Sequence, residues 1–370
     1  MSTNQPFFQG SLMPPPEPTY RSPRFSVTEE GRPCWELIDT MGVAHKFHDF
    51  AIIRDARFEG WSLAGFLLRD AVFDTVCFAG CKLTNAEFVS SKIRRLVING
   101  EGGEGGPVFS KSTVDTAKIE GLADGEAVVR FHDCEMLDVL ITDCACGIDI
   151  ARSQSFGLVL QRSTFESSRV VAIRSATLRG SRITDCSFSS ALLYQANMFE
   201  TTIRDVEFSG SRLDVDMSLS DIADLGIQSC FVNRLSLDAA ICRGVKIFDT
   251  HAYRVTANFS EIVDVEIKGG LFDASFEQTT LRSVMFLKVV TYLALRQSQA
   301  FGLRLCCVRG TIRGAGTTVW VPVIRQSELR GNEKPDITFI DAICTGTKFV
   351  NKFGTWIDQH IQQHRSENDS

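Results

Sequence analysis

From residue 51 onward, large apolar side chains recur at every fifth position: Ile53, Phe58, Leu63, Leu68, Phe73, Phe78, Leu83, Phe88, Ile93 and Ile98. Two residues before each stands a second apolar or small one: Ala51, Ala56, Trp61, Phe66, Ala71, Val76, Cys81, Ala86, Ser91 and Leu96. The remaining positions are polar or turn-forming, as in Glu59-Gly60, Ala64-Gly65, Arg69-Asp70 and Thr84-Asn85. Neither the 3.6 period of a helix nor the 2.0 period of an extended strand produces such spacing. A short side followed by a corner does, with both apolar positions facing inward and Gly, Asn, Asp or Ser taking the turn. The pattern therefore predicts a coil with a filled interior.

The register returns at Ile173, Leu178, Ile183, Phe188, Leu193, Met198, Ile203, Phe208 and Leu213. A looser run follows through Met217, Ile222, Ile227, Val232, Leu237, Cys242 and Ile247, with weak units at Ala252 and Ala257, then Ile262, Ile267 and Phe272. Phe276, Leu281 and Phe286 carry it on in a new phase. Each phase change, such as Leu213 to Met217, predicts a corner shortened by one residue. Weaker units around Phe131, Met136, Ile141, Leu160, Phe165, Phe339 and Phe349 connect and close the array.

These A-x-F and A-x-L units resemble those of pentapeptide-repeat proteins, whose consensus is A-(D/N)-L-x-x. The residue before the large one here is Arg57, Ser62, Leu67, Val72, Cys77, Lys82 or Glu87, so the match lies in the two inward positions. The resemblance implies an all-β fold, a right-handed parallel β-helix with four units per square turn. At the usual strand spacing, about a dozen turns make a rod on the order of 60 Å long.

The solenoid is expected over 46–350, with departures. Residues 1–45 hold most of the chain's ten prolines and lack repeat character, which predicts a disordered Pro/Ser-rich leader with a short ordered piece near Trp35. Residues 1–16 carry no charged side chain, and in this they resemble the unstructured signals of type III secretion effectors. An insert at 99–127 suspends the repeat and is rich in glycine and acid: Glu101, Glu104, Asp115, Glu120, Asp124 and Glu126. It lacks the lysine and the strand-to-helix setting of a phosphate loop. Residues 302–335 form a second irregular segment around Trp320. Trp356, Ile357 and Ile361 fall at helical spacing after Gly354, predicting a C-terminal helical cap within 351–370.

Net charge of −6 over 370 residues gives no basic stripe, so direct nucleic-acid binding is not expected. No apolar run reaches the roughly 20 residues of a membrane span. Cys81, Cys134, Cys144, Cys186 and Cys230 sit in small-residue slots, predicting reduced, buried thiols. No metal spacing, cofactor motif or catalytic constellation is found; His360 and His364 lack the glutamate of the zinc protease motif. The expectation is a non-catalytic protein-binding scaffold, with the acidic insert and Trp320 as candidate contacts. The resemblance implies two partner classes: a host protein bound by a secreted bacterial effector, or DNA gyrase bound by a DNA-mimicking member. A polysaccharide-active β-helix enzyme is the remaining alternative. Homodimerisation through end or side faces suits a rod, and the sequence does not specify it.

Overall fold

The computed structural model describes residues 20–350, apart from 32, 100–105, 123–126, 166–170, 175, 331–336, 341–342 and 346. From Ile52 onward the chain winds as a parallel β-solenoid of about 13 turns, with no helix among the described residues. Register shows the pitch directly: Ile52 pairs with Val72 and Val72 with Lys92. Each coil presents four sides, named here by their first inward residue: face A (Ile53), face B (Phe58), face C (Leu63) and face D (Leu68).

The period of five becomes four inward columns. Face D stacks Phe88, Phe109 and Phe131 with ring centroids 5.2 and 5.0 Å apart. Face C stacks Phe165, Phe188 and Phe208 at 5.0 and 4.9 Å. These spacings match the inter-strand distance, so each ring rests on the ring of the next coil. Two residues beyond an inward side chain, the chain turns through the left-handed region, as at Asp55, Thr75, Asn85, Asp205 and Asp224. Asp, Asn and Gly tolerate that region best, and this is why corners alternate with apolar sides.

The small inward slots have a second task. Ser112 Oγ accepts from Ser91 N–H at 3.0 Å and faces the Phe88 and Ser110 carbonyls. Thiols substitute for hydroxyls: Cys134 Sγ donates to the Phe109 carbonyl at 3.3 Å and Cys230 Sγ to that of Phe208 at 3.4 Å. All five predicted thiols are free and buried. Polar backbone at the corners is thereby satisfied inside the rod.

The shortened corner falls where the phase change places it. Leu193 pairs with Leu213, but Ala196 pairs with Val215, so Asp214 alone spans what Tyr194 and Gln195 span one coil earlier. Gln195 is left-handed and Asp214 is not. The same loss recurs between Ala252/Val255 and Phe272/Ala274, after which single strands such as Leu271–Glu277 and Val290–Arg296 run through the corner.

Three expected boundaries differ from the structure. Residues 24–47 are not leader: Arg24–Val27, Pro33–Ile38 and Ala44–Phe47 form an antiparallel sheet. Its hairpin closes on Asp39, whose carboxylate accepts from Met41 and Val43 N–H at 2.9 and 2.8 Å. Phe47 packs edge-on to Phe58, Trp35 stacks on Phe66, and Trp61 Nε1 donates to the Ile38 carbonyl. The sheet thus covers the open first coil, a need set by its exposed core. Within 99–127, Val108–Ser110, Thr113–Val114 and Ala117–Glu120 pair with flanking coils, so most of the insert is coil. Of the expected irregular segment 302–335, residues 302–330 also continue the rod through Arg304–Cys306, Arg309–Ala315, Thr317–Trp320, Val323–Arg325 and Glu328–Arg330. Their regularity was hidden by small inward residues: Gly310 lies under Thr291, whose carbonyl a Cβ at 310 would strike. The predicted C-terminal helix lies outside the described residues.

Candidate interaction surfaces

The predicted contact residues do not converge. Glu101, Glu104, Asp124 and Glu126 lie outside the described residues. Asp115 and Glu120 sit half-buried on coil strands or corners, and Glu120 is held by Lys118 Nζ at 2.5 Å. Trp320 lies far along face B, stacked flat on Phe301 with centroids 4.4 Å apart and planes 4° from parallel. Arg282 covers Phe301 from the preceding coil at 5.9 Å. Trp320 is therefore one rung of a ladder formed by Arg282, Phe301 and Trp320, with Ile340 paired to it on the next coil.

Face D carries two surfaces that periodicity alone does not reveal. Toward its start, Asp149 sits between inward Ile148 and Ile150, so it leaves the outer side of the sheet, yet it is only 5% exposed. His132 Nε2 lies 3.0 Å from its Oδ2, and Arg174 donates to both carboxylate oxygens at 2.8 and 3.0 Å. The carboxylate is thus fully engaged, and the His–Asp couple has no neighbouring nucleophile among the described hydrogen bonds to activate.

Further along the same face the outer side turns apolar and aromatic. Leu192, Tyr194 (49% exposed), Phe231 (48%), Tyr253 and Val290 stand in solvent, with Leu271 and Tyr292 half-buried beside them. Register places them on adjacent coils: Leu192 pairs with Arg212, Arg212 with Phe231, Phe231 with His251, His251 with Leu271 and Leu271 with Val290. Phe231 and Tyr253 touch at 5.6 Å, and Arg313 caps Tyr292 at 5.1 Å. Every tyrosine but Tyr20 lies in this strip, immediately after the inward residues Leu193, Ala252 and Thr291. That shared offset was the available signal.

On face C, Gly226 leaves a gap in the outer side chains, making a depression of about 350 Å³ lined by Glu207, Asp205, Asp224, Lys246 and Phe248. It holds no grouping of His, Cys, Asp and Glu that could bind a metal among the described residues. Four of the interior thiols are poor nucleophiles, whereas the hydrogen bond from Cys146 draws Cys144 down. Burial pushes Cys81, Cys134 and Cys186 up to about 11 and Cys242 to about 12. Outside, charges pair between coils: Arg152 with Asp133, Arg162 with Asp143, Arg179 with Glu200 and Arg204 with Asp221.

Among solved structures, the chain is similar to QnrB1, a plasmid-mediated fluoroquinolone resistance protein, at 12% identity over 44% of this chain and 82% of that one, TM-score 0.35. It is similar to HetL, a pentapeptide repeat protein involved in heterocyst differentiation regulation in Nostoc sp. strain PCC 7120. There the identity is 14% over 50% and 86%, TM-score 0.22. It is also similar to the A-module of the Azotobacter vinelandii mannuronan C-5 epimerase AlgE6, at 12% over 81% and 90%, TM-score 0.28. No protein-family model and no curated protein matches the chain.

Proposed function

We propose that this protein is a non-catalytic scaffold that binds a protein partner along face D. The observation that carries the reading is the run of exposed Leu192, Tyr194, Phe231, Tyr253 and Val290 on one flat side of the rod. Exposed aromatics interleaved with Arg212, Asn233 and His251 have the composition of interface hot spots, where Tyr and Arg are enriched. Large apolar side chains gathered on one side of a protein and left in water mark an interaction site. Binding there uses side chains only, because the strand hydrogen bonds run along the rod and are already made between coils.

The test compares partners captured by the wild type with those captured by a Tyr194→Ser/Phe231→Ser/Tyr253→Ser variant of matched melting temperature, using bacterial and host-cell extracts and purified DNA gyrase as separate baits. Loss of one partner with the variant supports the reading. Identical capture by both proteins sinks it. Delivery by a type III route is a separate proposal resting on the uncharged residues 1–16. Failure of residues 1–30 to export a fused reporter would end it.

A further inference from the structure

Between Met198 and Gln278 the corner between faces A and B departs from the acid- and glycine-based corner that follows it; elsewhere among the described residues, exposed bulky apolar side chains take the left-handed conformation at Phe50 and Val321. In successive coils its left-handed residues are Glu200 (φ 55), Leu219 (φ 59), Ala239 (φ 54), Phe259 (φ 57) and Gln278 (φ 50). In the same coils the next corner, between faces B and C, uses Asp224, Gly244 and Asp264 at the same conformation. Bulky apolar side chains are disfavoured there by the Cβ clash that defines the left-handed region. Packing does not compensate, since Leu219 is 57% and Phe259 63% exposed. Neither local conformation nor core burial accounts for these two residues. Strain kept without a structural return points to function.

Leu219, Ala239 and Phe259 form a convex apolar ridge parallel to the rod axis, with exposed Ile241 beside it. Its flanks are acidic. Across 215–224, 235–244 and 255–264 stand Asp216, Asp221, Asp224, Asp238, Glu261 and Asp264 against the lone base Arg243. Arg204 reaches Asp221 from the preceding coil, and the other acids face solvent at half or full exposure. An apolar ridge rimmed by carboxylates is repelled by anionic lipid headgroups and by phosphodiester backbones, which excludes membrane and nucleic acid as its occupant. It attracts a basic protein segment.

We infer that this corner docks a basic amphipathic helix lying along the rod, its apolar stripe on Leu219, Ala239 and Phe259 and its Lys or Arg residues over the acidic flanks. The dimensions agree. Coils rise by about 4.8 Å and a helix by about 5.4 Å per turn, so one apolar side chain per turn meets one ridge residue per coil. The inference rests on the scaffold reading but places contact on a different side of the rod from the face D strip.

The probe is a fluorescent model helix of leucine and lysine, with the leucines on one stripe, titrated against the full chain at low and high salt and followed by anisotropy. A Leu219→Asn/Phe259→Asn variant is expected to weaken binding roughly tenfold or more, as for loss of interface hot spots. Its melting temperature should hold or rise, because Asn suits the left-handed conformation better. Glu261→Lys should weaken binding further, and salt should weaken it in the wild type. Equal affinity of wild type and Asn variant, equal binding of a matched leucine/glutamate helix, or no binding of any helix overturns the inference. The Tyr194→Ser/Phe231→Ser/Tyr253→Ser variant separates the two readings. If it loses its captured partner while the Asn variant changes nothing, the ridge falls and the scaffold stands.

Discussion

Two stretches of face D share one backbone geometry and treat water in opposite ways. Between Arg130 and Arg174 the outer polar groups satisfy one another: His132 and Arg174 close over Asp149 until the carboxylate is buried. Between Leu192 and Tyr292 the aromatic outer side chains stand open and touch each other only in part, beside one closed pair, Asp214 with Arg234. A parallel solenoid sets where side chains emerge but not what they are. The first stretch is complete by itself, and the second has contact area to spare. The proposed binding role of the second stretch rests on that contrast.

The largest effect should come from breaking the closed stretch. Arg174→Ala leaves the buried Asp149 carboxylate with His132 alone, and we expect a loss of about 2–3 kcal/mol in urea unfolding, reduced from a fully buried pair because Arg174 is partly exposed. An Arg174→Ala/Asp149→Ala double variant removes the stranded charge as well and should lose less. If the double variant is the worse of the two, Asp149 is not held by charge.

Next comes the open stretch, where the expected signs reverse. Tyr194→Ser, Phe231→Ser and Tyr253→Ser should each leave stability within about 0.5 kcal/mol while removing partner capture. A melting temperature that falls steeply in any of them would mean that the strip packs rather than binds.

Smallest is the pH response of an exposed inter-coil pair. The Arg162 guanidinium, bonded to Asp143 through Nε and Nη2 at 2.7 and 2.6 Å, holds the Asp143 carboxyl down at about 2 from 3.8. A depressed folded-state value stabilises above the unfolded value and loses that contribution as pH falls through the folded one. Asp143→Asn should therefore flatten the pH dependence of melting between about pH 4 and pH 2. High salt should erase most of the difference, because both side chains are exposed.

The interior was legible where inward slots obey one local rule, a large side chain five residues from the next. Where that rule weakened, the reading failed. The coil at Gly310 looked irregular because the inward position holds no side chain, although the backbone pairing is unbroken. The sheet over 24–47 was obscured by proline content, although Pro33–Ile38 alternates exposed and buried positions through Cys34 and Leu37. The corner loss between Leu213 and Val215 was readable as a phase change, since removing one residue shifts every later inward position.

The surfaces were not legible in the same way. Outer neighbours stand one coil apart in sequence, and that separation varies, being 20 from Leu193 to Leu213 and 19 from Ile203 to Ile222. Tyr253 and Phe231 meet only after the intervening coil has closed. Sequence by itself determined the inward columns, the corners and the burial of the five slot thiols, because close packing repeats the same demand every five residues. Tertiary structure alone decided which outer residues share a face. It buried Asp149 and left Phe259 standing in water at a left-handed corner, because register across coils is settled by the winding of the whole rod.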